Sequence, residues 1–75
     1  MADASDKIPP PLAKELRALA HDLSNALETI VQATYLLGQA GSLESSSRWL
    51  NTIDQASKEA VRINARLREI LRAHS

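Results

Sequence analysis

The sequence predicts an all-α fold: an antiparallel helical hairpin that homodimerises into a four-helix bundle. Three observations carry this. First, apolar residues form two seams. One holds Leu12, Leu16, Leu19, Leu23, Ala26, Ile30, Ala33 and Leu37; the other holds Trp49, Ile53, Ala56, Ala60, Ile63, Leu67 and Ile70. Both alternate steps of four and three, which is a heptad rather than a loose amphipathic stripe. Second, the seams are separated by a short stretch holding the only two glycines, Gly38 and Gly41. Third, Leu27 and Val31, then Leu50, Val61 and Leu71, widen each stripe beyond what one facing helix covers, so a lone hairpin leaves apolar surface wet and a second copy is expected to cover it.

Taken in order, residues 1–8 are small, polar and charged, and are expected to form a flexible tail. The domain is residues 9–75. Pro9-Pro10-Pro11 cannot continue a helix from upstream, but proline is tolerated in a first turn, so helix one is expected over about 11–39. Gly38 and Gly41 are expected to supply a C-cap or turn over about 40–43. Ser42 or Ser45 can cap helix two, expected over about 43–73. No proline or glycine interrupts it, and helix formers dominate its second half. Ala26, Ala33, Ala56 and Ala60 are small seam residues that let the backbones approach closely.

Size and composition exclude several classes. A chain of 75 residues with 44% hydrophobic content and no Phe builds its core from aliphatic side chains and alanine, and a core this small usually needs a partner. Cysteine is absent, which removes disulfides and thiolate metal sites and fits a reducing cytoplasm. No apolar run approaches the roughly 20 residues that span a bilayer, and the N-terminus lacks a secretory signal pattern. The expectation is a cytoplasmic protein without a membrane segment. The formal net charge of +0 hides an asymmetry. Residues 1–44 carry three basic against six acidic side chains, and residues 45–75 reverse those numbers. Opposite signs suit antiparallel packing and speak against a nucleic-acid surface.

With Leu16 at heptad position a, His21 falls at f, furthest from the seam. Asp22 falls at g and Asn25 at c, one turn above His21. A histidine used for packing would sit at a or d. The stretch His21-Asp22-Leu23-Ser24-Asn25-Ala26-Leu27 resembles the phospho-acceptor box of sensor histidine kinases. Ala18-Leu19-Ala20 leads into it as in that family, Ile30 and Leu36-Leu37 follow at familiar distances, and Trp49-Leu50 to Leu71 is similar to the second helix of the dimerisation and histidine-phosphotransfer domain. The resemblance covers about residues 11–73. Two departures stand out. Ala26 occupies a position where proline is common, which puts the family's kink in question. These 75 residues hold nothing that resembles the kinase's ATP-binding domain or a Gly-rich phosphate cradle, so the chain is expected to be phosphorylated by others.

The resemblance implies a histidine phosphotransfer module of a two-component pathway. His21 is then the phospho-acceptor, exchanging phosphate with a receiver-domain aspartate. Asp22 is its acid or base and orients the ring, and Asn25 positions a water or a phosphoryl oxygen. Lys14, Arg17, Ser24 and Glu28 share the outer surface and are candidate partner contacts. The chemistry agrees. An imidazole titrating near ~6.5 offers a neutral nucleophilic nitrogen at cell pH, and a neighbouring carboxylate can fix its tautomer and stabilise developing positive charge. Implied partners are a second copy, a response-regulator receiver domain and a kinase ATP-binding domain in cis or in trans. No cofactor or metal of its own is expected; Mg2+ belongs to the receiver. Either a module of a kinase or a stand-alone relay protein fits.

Blander readings stand beside this one. His21 can be a chance surface histidine on a coiled-coil hairpin, and Asp22 and Asn25 solvated polar residues. Trp49 is expected to close the core near the hairpin end, His74 to be inert, and the arginines of helix two to be solvated over the bundle's flank. The alternative function is a non-catalytic dimerisation or docking module that binds kinases or response regulators. Nucleic-acid binding by the basic second helix is a weaker third option.

Overall fold

The computed structural model describes residues 8–74, so the tail expected over residues 1–8 lies, but for Ile8, outside the described residues. Two helices follow: α1, Pro10–Gly38, and α2, Leu43–Ala73. They pack along their length as an antiparallel hairpin with a four-residue connection, and among the described residues there is no strand. The molecule measures 57 × 18 × 16 Å, a rod two helices thick.

Each helix end has a local cause. Pro10 and Pro11 occupy the first turn of α1, where an amide donor has no intrahelical partner. The carbonyl of Pro9 accepts from the amides of Leu12 and Ala13 at 2.9 and 3.0 Å, so no capping side chain is used. At the other end the expected glycine cap does not occur. Gly38 is the last helical residue, and no glycine takes a positive φ among the described residues. Instead α1 ends through Gln39 at φ −103° and ψ 0°, with the Gln39 and Ala40 amides donating to Leu36 and Leu37 at 3.1 Å. This tightened last turn satisfies the terminal carbonyls in ordinary backbone space. Ser42, extended at φ −148° and ψ 160°, caps α2: its hydroxyl accepts from the Ser45 amide at 3.1 Å. Glu44 in the first turn and Arg72 in the last complement the helix dipole.

The seams face each other. Ala26, Ala33, Ala56, Ile63 and Ile70 are buried, and every other seam residue is at least partly covered. The residues beyond the seam are not covered: Leu27, Val31, Leu50, Val61 and Leu71 are 51–69% exposed. Helix geometry sorts the flanks. On both helices these residues occupy positions e and b, to one side of the a/d seam. In an antiparallel pair the e/b flanks lie on the same side of the rod and the g/c flanks on the other. One side of the hairpin therefore carries the uncovered apolar side chains, interleaved with Arg17 and Ser24 of α1 and Asp54 and Arg68 of α2 at other b positions.

The opposite side holds an ion-pair clasp. Arg66 of α2 donates from Nε and Nη2 to the two carboxylate oxygens of Glu15 on α1, at 2.6 and 2.8 Å, and from Nη1 to Glu69. Bidentate guanidinium–carboxylate geometry fixes orientation as well as distance. The expectation that the arginines of helix two are solvated fails at Arg66, which is partly covered and ties the open end of the hairpin shut. The Glu15 carboxyl is held below the ordinary glutamate value by that Arg66 bond. Further along the rod, Ala26 of α1 and Ala56 of α2, both buried, line the same groove between the helices.

Candidate functional site

His21 sits near the middle of α1, two turns from the Glu15–Arg66 clasp, and its placement follows from the seam. Leu19 and Leu23 are drawn toward α2, so the side chain between them points outward. The His21 side chain is 75% exposed and that of Asp22 57%. Asp22 Oδ1 lies 3.7 Å from His21 Nδ1. Asn25, one turn on, brings Nδ2 to 3.5 Å from the same ring nitrogen. Both neighbours therefore face Nδ1, and among the described residues no side chain hydrogen-bonds Nε2. The arrangement leaves one imidazole nitrogen open to an incoming group.

Beside the ring runs a shallow groove between the helices, lined by Asp22, Asn25 and Thr29 from α1 and Thr52, Gln55 and Glu59 from α2, with Ala26 and Ala56 at its floor. The two alanines let the helices come close enough for polar residues of both to share one surface. Thr29 Oγ1 donates to the Asn25 carbonyl at 2.9 Å and Thr52 Oγ1 to the Arg48 carbonyl at 3.0 Å. Such bonds back to the preceding turn relax a helix slightly and fix the hydroxyl rotamer. Helix α1 runs unbroken through Ala26, so the proline break common in sensor kinases is absent from this helix.

The other sequence-nominated residues are all exposed. Lys14, His21 and Glu28 share position f and form a line along α1, spaced about 10 Å apart by the helix rise. Arg17 and Ser24 lie at b, across His21 from Asp22 and Asn25. The structure thus brings His21, Asp22 and Asn25 into one cluster and leaves Lys14, Arg17, Ser24 and Glu28 around it, none of them hydrogen-bonded to the ring. Thr52, Gln55 and Glu59 escaped the sequence reading. Their c and g positions on α2 were the available signal, readable only once the flank pairing is known. Among the described residues, no group of three or more His, Cys, Asp or Glu side chains is placed to hold a metal ion, and no helix is long and apolar enough to cross a membrane.

Comparison of the chain with known protein families, characterised proteins and solved structures finds no match.

Proposed function

We propose that this chain is a histidine phospho-acceptor module, in which His21 exchanges a phosphoryl group with the aspartate of a receiver domain. The observation that carries it is the exposed ring with two polar neighbours at Nδ1 and an open Nε2. In the forward step the Nε2 lone pair forms the N–P bond, the P–O bond of the aspartyl phosphate breaks, and the carboxylate leaves as its anion. The ring gains positive charge, which the Asp22 carboxylate stabilises. Mg2+ comes with the receiver. Lys14 and Glu28 lie in line with the ring and contact the partner, while Arg17 and Ser24, at b, stand where that contact meets the margin of the flank a second copy covers.

The working unit in this proposal is a homodimeric four-helix bundle. The e/b strip of Leu27, Val31, Leu50, Val61 and Leu71 supports it, because these side chains project away from the hairpin's own core and match the apolar surface a second copy would cover. Pairing through that strip leaves the groove beside His21 facing outward in each copy.

The test is incubation of the chain with a phosphorylated receiver domain, and separately with a kinase ATP-binding domain and labelled ATP. Wild type should acquire acid-labile label and His21→Ala none. Equal behaviour of the two proteins would leave a non-catalytic docking module as the reading.

A further inference from the structure

We infer that Asn25 is a positioning residue that sets the tautomer of His21, in opposition to Asp22. As a statement about phosphoryl transfer this rests on the phospho-acceptor reading above; as a statement about the ring it does not. A neutral imidazole nitrogen holds either a hydrogen or an in-plane lone pair. Asn25 Nδ2 is a donor only, and at 3.5 Å from Nδ1 it is satisfied when Nδ1 offers its lone pair, which puts the proton on Nε2. Asp22 Oδ1 is an acceptor only, and at 3.7 Å from the same atom it is satisfied when Nδ1 carries the hydrogen, which leaves the lone pair on Nε2. The two neighbours make opposite demands on one atom.

Neither contact is closed at these distances, and both side chains are exposed, so small rotations bring in one or the other. With Asn25 engaged, the outward-facing Nε2 bears a proton and cannot attack phosphorus. With Asp22 engaged, Nε2 presents its lone pair and the carboxylate faces the nitrogen that becomes cationic. Thr29 braces the turn that carries Asn25 by bonding its carbonyl, and the groove's floor at Ala26 keeps that turn against α2. Asn25 thereby holds part of the population in the unreactive form. A partner that draws the amide away raises reactivity without touching the ring. Were the amide turned so that Oδ1 faced the ring, both neighbours would favour the same tautomer, and removing Asn25 would act in the opposite sense.

The experiment is long-range proton–nitrogen correlation NMR on the 15N-labelled full chain, well above the histidine titration range, with His74→Gln as background to isolate the His21 signals. Asn25→Ala should shift the ring toward the form protonated at Nδ1, and Asp22→Ala toward the form protonated at Nε2. A helix merely loosened by mutation would not move the two variants in opposite directions. In parallel, phosphoramidate serves as a partner-free donor: the Nε2 lone pair forms the N–P bond, the donor's P–N bond breaks and ammonia leaves. Asn25→Ala should take up phosphoryl about two- to threefold faster than wild type, and Asp22→Ala more slowly. An unchanged tautomer ratio in Asn25→Ala, or a shift toward Nε2–H, overturns the inference even if His21 is phosphorylated. Opposite shifts with no phosphoryl uptake from phosphoramidate or receiver would uphold the tautomer control and overturn the phospho-acceptor reading instead.

Discussion

Replacing Leu50 by glutamate separates the stability of the hairpin from the association of two copies. Leu50 lies at position e of α2 with 54% of its surface exposed, so about half of its burial remains available to a partner. Full burial of a leucine stabilises by roughly 1.5–3 kcal/mol, which leaves about 1 kcal/mol per copy. A two-fold interface counts each substitution twice, giving about 2 kcal/mol, or roughly a 30-fold weaker dimer. Carboxylates brought into that strip add to the loss, so this is a lower bound. Glutamate and leucine have similar helix propensities, and the seam is untouched, so helical content should persist. Sedimentation equilibrium over a range of concentrations measures the dissociation constant, with circular dichroism as control. An unchanged constant in Leu50→Glu, or a wild type that stays monomeric throughout, would refute the assignment of the e/b strip to a second copy.

The Glu15–Arg66 clasp predicts acid sensitivity. Because the folded-state pKa of Glu15 lies below the ordinary 4.5, its contribution is present above 4.5 and lost as pH falls through the lower folded value; Tm followed from pH 7 into that acid range should fall less in Glu15→Gln than in wild type. Ala26 is 6% exposed and lines the same inter-helix groove as Ala56, so Ala26→Leu should overpack the middle layer by ~1–3 kcal/mol, read as a lower urea midpoint; no change would mean the helices are not in close approach there. Ser42→Ala removes the cap of α2 and should cost about 1 kcal/mol, visible in the same titration. His21→Ala, by contrast, should leave the midpoint within about 0.5 kcal/mol of wild type, since the ring is outward and alanine favours helix; a large loss would show the ring packs.

Much of this was readable from spacing. The strict four-and-three alternation marks which side chains turn inward: all fifteen seam positions are buried or partly covered, and the five buried residues among those described are all seam residues. The same arithmetic puts His21 outward and Asn25 one turn above it. At the connection the two glycines mark the place but not the cap: Gly38 and Gly41 are expected to supply a C-cap or turn, and α1 ends instead through Gln39 and a tightened last turn with neither glycine at positive φ. Composition misled over the arginines. Glu15 and Arg66 stand 51 residues apart, and only counting both as g positions on antiparallel helices would have paired them.

Sequence by itself determined the two helices, their inward stripes and the outward histidine, because heptad phase belongs to a single helix and needs no knowledge of its neighbour. Tertiary structure decided what lies beside what: that Thr52, Gln55 and Glu59 complete the groove of Asp22 and Asn25, that Arg66 clasps Glu15, and that the uncovered leucines and valines gather on one side. The reason is geometric. Which flanks meet depends on the relative direction and register of two helices, and those are fixed by a four-residue connection and the fit of alanine against alanine, not by the periodicity of either strand of sequence.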